Sequence, residues 1–99
     1  MNNNMTPVIF RKFKDNDIIA LLPTIPGDMN PNTCESYMHI GQHGSADLGI
    51  IYDTKLAKQT EYDDLLQELE SIGYEDLKVY SKVLQWMDDT RHKELKELM

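Results

Sequence analysis

The chain has 99 residues, 40% of them hydrophobic and 27% charged, with a net charge of −7 and a single cysteine. That is material for one domain with one modest core, and its longest apolar run, Ile18–Leu22, falls far short of the roughly 20 residues a membrane span needs. The acids are concentrated late: residues 1–59 hold five bases and six acids, residues 60–99 five and eleven. This argues against direct binding to nucleic acid or an anionic membrane, because phosphate contacts need clustered Lys and Arg.

The opening MNNNMTPV lacks the basic and apolar regions of a secretory leader. A lone cysteine cannot close an internal disulfide, so the expectation is a cytoplasmic protein, with residues 1–6 flexible. Val8–Phe13 and Ile18–Leu22 are rich in β-branched, aromatic and aliphatic residues and flank the polar cluster Lys14–Asp17, which predicts a β-hairpin over 8–22. Pro23 and Pro26-Gly27-Asp28 should end it, leaving 23–33 as an irregular connection. Residues 34–40 alternate, with Cys34, Ser36, Met38 and Ile40 on one face and Glu35, Tyr37 and His39 on the other, as a strand would. Gly41–Asp47 reads as a loop and Gly49–Tyr52 as a further short strand or a lead from strand into helix. Thr60 fits an N-cap with Asp63 three residues on, and Tyr62, Leu65, Leu66, Leu69 and Ile72 make one apolar stripe. A helix over 61–72 follows, with Gly73 at its C′ position. Leu77–Ser81 reads as a returning strand, with a helix from Asp76 onward as the alternative, and the chain from Val83 as a helical extension, about 84–98. Leu84, Met87, Leu95 and Leu98 lie near one face of that helix, with Arg91 interrupting them. The fold class is therefore α+β: a small antiparallel sheet with one helix packed on a face and a second at the C-terminus.

Two stretches carry a resemblance. Residues 34–47 read C-x-S-Y-x-H-x-G-Q-H-G-x-A-D, and residues 61–74 read E-Y-x-x-L-x-x-E-L-E-S-I-G-Y. Together with VIFRKF and DIIALLP they make residues 8–80 resemble a group of short uncharacterised proteins of bacteria, phages and mobile elements. The resemblance implies a small accessory protein and brings no activity with it. The acidic helical tail looks like an addition to the pattern.

Chemistry would concentrate in Cys34–Asp47. Cys34, His39, His43 and Asp47 are ligand-type side chains, and zinc accepts such a mix. Strand alternation puts Cys34 and His39 on opposite faces, which reduces the candidate metal site to His39, His43 and Asp47. The plainer reading makes Cys34 a core thiol and the glycines turn residues. Catalysis by Cys34 would need a base within reach of a thiol that alternation places among apolar neighbours. Ser45 lacks the strand–turn–helix context of a nucleophile elbow. IGQHG matches a GxxG loop only superficially, since a KH-type RNA clamp lies between helices and offers bases.

The second candidate is the acidic run Glu61, Asp63, Asp64, Glu68 and Glu70, five acids and no base over ten residues. Such a run is usually a solvated face; its sharper reading is a mimic of nucleic-acid phosphates that occupies a basic groove on another protein. Among Tyr37, Tyr52, Tyr80 and Trp86, Trp86 is the best candidate for a partner-facing anchor. The expectation is thus a small, acidic, non-enzymatic binding protein without cofactor. Its partner is another protein with a basic surface, contacted through Glu61, Asp63, Asp64, Glu68 and Trp86, and a homodimer through the C-terminal helix is open to it. The alternative is a zinc-binding or catalytic protein using the His39–Asp47 segment.

Overall fold

The computed structural model describes residues 5–39 and 41–99. The first two apolar runs form the expected hairpin: β1 (Thr6–Lys12) pairs antiparallel with β2 (Ile18–Pro26), Ile9 opposite Leu21 and Phe10 opposite Ala20. The Phe13 N–H donates to the Asp17 carbonyl (2.9 Å) and closes the turn. Asn16 takes φ +74° there, a conformation Asn tolerates better than most residues. Of the expected flexible segment, residues 1–4 lie outside the described residues and Thr6 already belongs to β1.

Both strands are buried on both faces, which explains the unbroken apolar run of β2. Val8, Phe10, Ala20 and Leu22 point to one face, and Ile9, Ile19 and Leu21 to the other. Pro26-Gly27-Asp28 ends β2 as expected, but Pro23 does not interrupt the strand. It runs on to Pro26 through a register shift between Leu22 and Pro26, and a bulge is where a sheet tolerates residues that cannot donate.

β3 (Thr33–Met38) follows antiparallel to β2, shorter than the expected 34–40; of that range, Ile40 lies outside the described residues. The alternation holds: Cys34 joins Ile9 and Leu21, while Tyr37 joins Phe10 and Ala20. Gly41–Asp47, expected as a loop, is instead largely a strand. β4 (Gln42–Asp47) pairs with β3 along its whole length, from Met38 opposite Gln42 to Thr33 opposite Asp47. It was hidden because it is a polar edge strand with only Ala46 buried. Backbone hydrogen bonds hold it, and side-chain patterning carries little of that information.

Gly49–Tyr52, expected as a strand, lies within a 3-10 helix, Leu48–Asp53. The Asp47 carboxylate accepts the Gly49 N–H (2.7 Å) and starts it. Leu48, Ile50 and Ile51 pack against the Ile9–Leu21–Cys34 face; a short apolar run fits strand or helical turn equally well. Arg11 ties the end of this helix to β1 by donating to the Ile51 carbonyl (2.9 Å) and the Thr54 hydroxyl (3.0 Å). β5 (Lys55–Leu56) then pairs with Arg11 and Lys12.

α1 (Gln59–Ser71) packs on the Phe10–Tyr37 face through buried Leu65 and Leu69, with Phe10 and Tyr62 stacked at 4.4 Å. Its cap is Lys58 rather than Thr60, and Glu61 reaches back to the Lys58 N–H (2.9 Å). Gly73 supplies the expected left-handed residue (φ +116°), letting the Tyr74 N–H return to the Leu69 carbonyl (3.2 Å). β6 is shorter than expected (Leu77–Val79) and runs parallel to β1. The six-stranded sheet reads β4-β3-β2-β1-β5, with β6 sharing the outer edge of β1.

α2 (Gln85–Leu98) packs against β2 on the face opposite α1. Its buried stripe is Met87, Arg91 and Leu95, while Leu98 is exposed. Arg91, expected to interrupt the stripe, is its centre. Its stem lies in the interface, its guanidinium donates to the Pro23 carbonyl (2.8 Å) from one nitrogen, and another pairs with Asp88 (2.8 Å). A long side chain can bury its stem and still bring its charge to carbonyls. Among the described residues no helix is long and apolar enough to cross a membrane.

Candidate functional site

The β3–β4 hairpin brings Tyr37 and His43 opposite each other on the α1 face, with ring centroids 4.6 Å apart and edge to face. α1 runs its C-terminal end over the same place. Its Gly73 turn delivers Tyr74, whose ring lies 6.2 Å from that of His43. Among the described residues, Tyr37, Gly41, His43, Ile72, Gly73 and Tyr74 line a shallow cleft of about 380 Å³.

Behind the rings stands a hydrogen-bond chain. The Tyr37 hydroxyl donates to Glu68 and accepts the Gly41 N–H (2.8 Å), while His39 Nδ1 lies 2.6 Å from the other Glu68 oxygen. The Tyr74 hydroxyl donates to Glu35 (2.6 Å). Both phenols are thereby held in the neutral form. The hydrogen bond to Glu68 leads in raising the pKa of Tyr37, whereas burial leads for Tyr74, with Glu35 adding to it. An ionised phenol could not donate to the carboxylate and would face its charge.

The sequence candidates are divided by this arrangement. His39 is exposed and turned to Glu68; His43 lies against the two tyrosines. Asp47 sits four residues along β4 from His43, about 13 Å at the rise of a strand, where it caps the 3-10 helix. The structure does not bring His39, His43 and Asp47 together. Among the described residues no group of three His, Cys, Asp or Glu side chains is placed to hold a metal ion. Cys34 is fully buried on the opposite face, and burial pushes its thiol up to about 11, so the nucleophilic thiolate is scarce at neutral pH.

The acidic run also divides. Glu61 caps α1 and pairs with Lys12 (2.5 Å), and Glu68 holds Tyr37 and His39. Asp64 and Glu70 are exposed and Asp63 half-buried, with no Lys or Arg in the helix. Trp86 is 41% exposed, its ring edge-on to Tyr80 at 6.2 Å. Tyr37, one of the four aromatics weighed for binding, is buried, whereas Tyr52 is almost fully exposed.

Sequence reasoning missed Glu35, Tyr74 and the coupling of Tyr37 to Glu68, which lie 39 and 31 residues from their partners. One signal was present: a tyrosine opposite a core cysteine on a strand needs an acceptor for its hydroxyl. No protein-family model, curated protein or solved structure matches the chain.

Proposed function

We propose that this protein is a small, acidic, non-enzymatic binding module of phage or mobile-element origin. It acts in the cytoplasm by occupying the basic surface of a nucleic-acid-binding protein. The observation that carries this reading is the face of α1 turned from the sheet. Asp64 and Glu70 stand exposed there with Asp63 at their flank, and Gln59–Ser71 contains no base. The acids nearest the sheet are already engaged, so the outward acids set the potential a partner meets. Opposite charge speeds encounter and fixes orientation more than it adds affinity. The burial of Cys34 and the mutual pairing of Tyr37, Glu68, His39, Tyr74 and Glu35 support a binding role over a catalytic one.

The test is affinity purification from bacterial lysate with the wild type and with Asp63→Lys/Asp64→Lys/Glu70→Lys. Glu61 stays unchanged because its loss would unwind the helix cap. The wild type should retain basic nucleic-acid-binding proteins, released by added double-stranded DNA, and the triple variant should lose them. Retention by the variant, or indifference to DNA, would refute the proposal.

A further inference from the structure

We propose that the cleft between the β3–β4 turn and the C-terminal end of α1 seats one cationic side chain, a lysine or arginine, of the protein partner. The inference rests on the basic-partner reading and names where that partner is gripped.

Three features point to a cation. The walls are aromatic: Tyr74 and His43 line the cleft with ring centroids 6.2 Å apart, His43 packs edge to face on the buried Tyr37 beneath them, and the face of a tyrosine ring attracts a cation through its quadrupole. Both phenols donate to carboxylates, Tyr37 to Glu68 and Tyr74 to Glu35. Each bond leaves the ring more electron-rich, and Glu35 stands one hydroxyl away from the cleft behind Tyr74, whereas Glu68 is also paired with His39. The described lining carries no Lys or Arg to compete for the site.

Two more features set its size and access. At about 380 Å³ the cleft lies at the low end of small-molecule pockets and is open enough to admit one side chain from a docked surface. Gly41 and Gly73 both have positive φ, with none of the described residues within 4 Å of where a Cβ would stand, so the mouth stays clear on their side. Glu70, exposed near the end of the same helix, extends the charge a basic partner would follow to it.

The test is a ¹⁵N NMR titration of the whole protein with blocked hexa-arginine, hexa-lysine and hexa-glutamate peptides. The two basic peptides should move the amides of Gly41, His43, Gly73 and Tyr74 saturably, their relative affinities showing whether guanidinium or ammonium is preferred, and hexa-glutamate should not. Ile72→Lys puts a like charge at the exposed rim without touching the core and should weaken binding about ten-fold. Gln85→Lys, the same charge change on α2, should weaken it less than about two-fold. His43→Ala, also at an exposed residue, should weaken it about three-fold or more, in line with a lost aromatic wall. Shifts confined to the outer face of α1, or equal affinities for the Ile72→Lys and Gln85→Lys proteins, would overturn the cleft and leave the acidic-face reading standing. No interaction with either basic peptide would overturn both.

Discussion

Arg91 gives the sharpest test of how the fold is held. Only 2% of it is exposed; it joins α2 to the Pro23 carbonyl of β2 and pairs with Asp88 one turn back in its own helix. Arg91→Ala removes two buried methylenes, about 1.6 kcal/mol at roughly 0.8 each. It also removes a charged donor from the Pro23 carbonyl, about 1.5–3 kcal/mol. Against this stands the relief of desolvating a guanidinium whose Nε is buried without a hydrogen-bond partner among the described residues, about 1–2 kcal/mol. The net expectation is a loss of about 2–3 kcal/mol. In urea with a slope of about 2 kcal/mol/M that moves the midpoint down by about 1–1.5 M with the slope unchanged. Arg91→Met keeps the stem and should lose about half as much. A change for Arg91→Ala within about 0.5 kcal/mol, the usual size of a surface substitution, would refute the placement of Arg91 at the centre of the interface.

Four further outcomes follow from named contacts. A Cβ on Gly27 would meet the Ser45 Oγ at 2.5 Å and the Cys34 carbonyl oxygen at 2.6 Å, so Gly27→Ala should destabilise the domain by about 1–3 kcal/mol in the same urea assay; an unchanged midpoint would contradict that packing. The Cys34 thiol should resist alkylation at pH 8 until urea unfolds the chain, and immediate labelling of the native protein would contradict its burial. Because its folded pKa is raised from 9.0 to about 11, stability should fall as pH rises through that interval, where only the unfolded thiol ionises. On the acid side, backbone N–H and hydroxyl donors hold Asp28 below its ordinary value, and Lys12 with the Lys58 N–H does the same for Glu61. Their contributions should be full above about pH 4.5 and fade as pH falls, and Asp28→Asn with Glu61→Gln should flatten that limb of the stability curve.

What was legible in the sequence follows the physics of each element. The β1–β2 hairpin and α1 announce themselves through period and turn chemistry: Lys14–Asp17 between apolar runs, and the Leu65–Leu69 stripe closed by Gly73. β4 was illegible because five of its six residues are exposed, and an edge strand held by its backbone needs no apolar alternation. The 3-10 helix was misread because Leu48, Ile50 and Ile51 fit strand or turn alike. Arg91 looked like a gap because hydropathy scores its charge and ignores its stem. The candidate site was half legible. Alternation correctly separated Cys34 from His39 and Tyr37, but Asp47 joined the wrong group. The carboxylates that meet the hairpin tyrosines, Glu68 and Glu35, come together only when α1 and Tyr74 fold over the sheet.

The measurement that bears most directly on the central claim is calorimetric titration of a purified basic partner with the wild type and with Asp63→Lys/Asp64→Lys/Glu70→Lys, each at about 50 and 200 mM salt. At those ionic strengths exposed charges are screened to different degrees. Wild-type affinity should fall steeply with salt, and the variant should bind at least about ten-fold more weakly, its remaining affinity hardly responding to salt. Equal affinity for the two proteins, at either salt concentration, would contradict that claim.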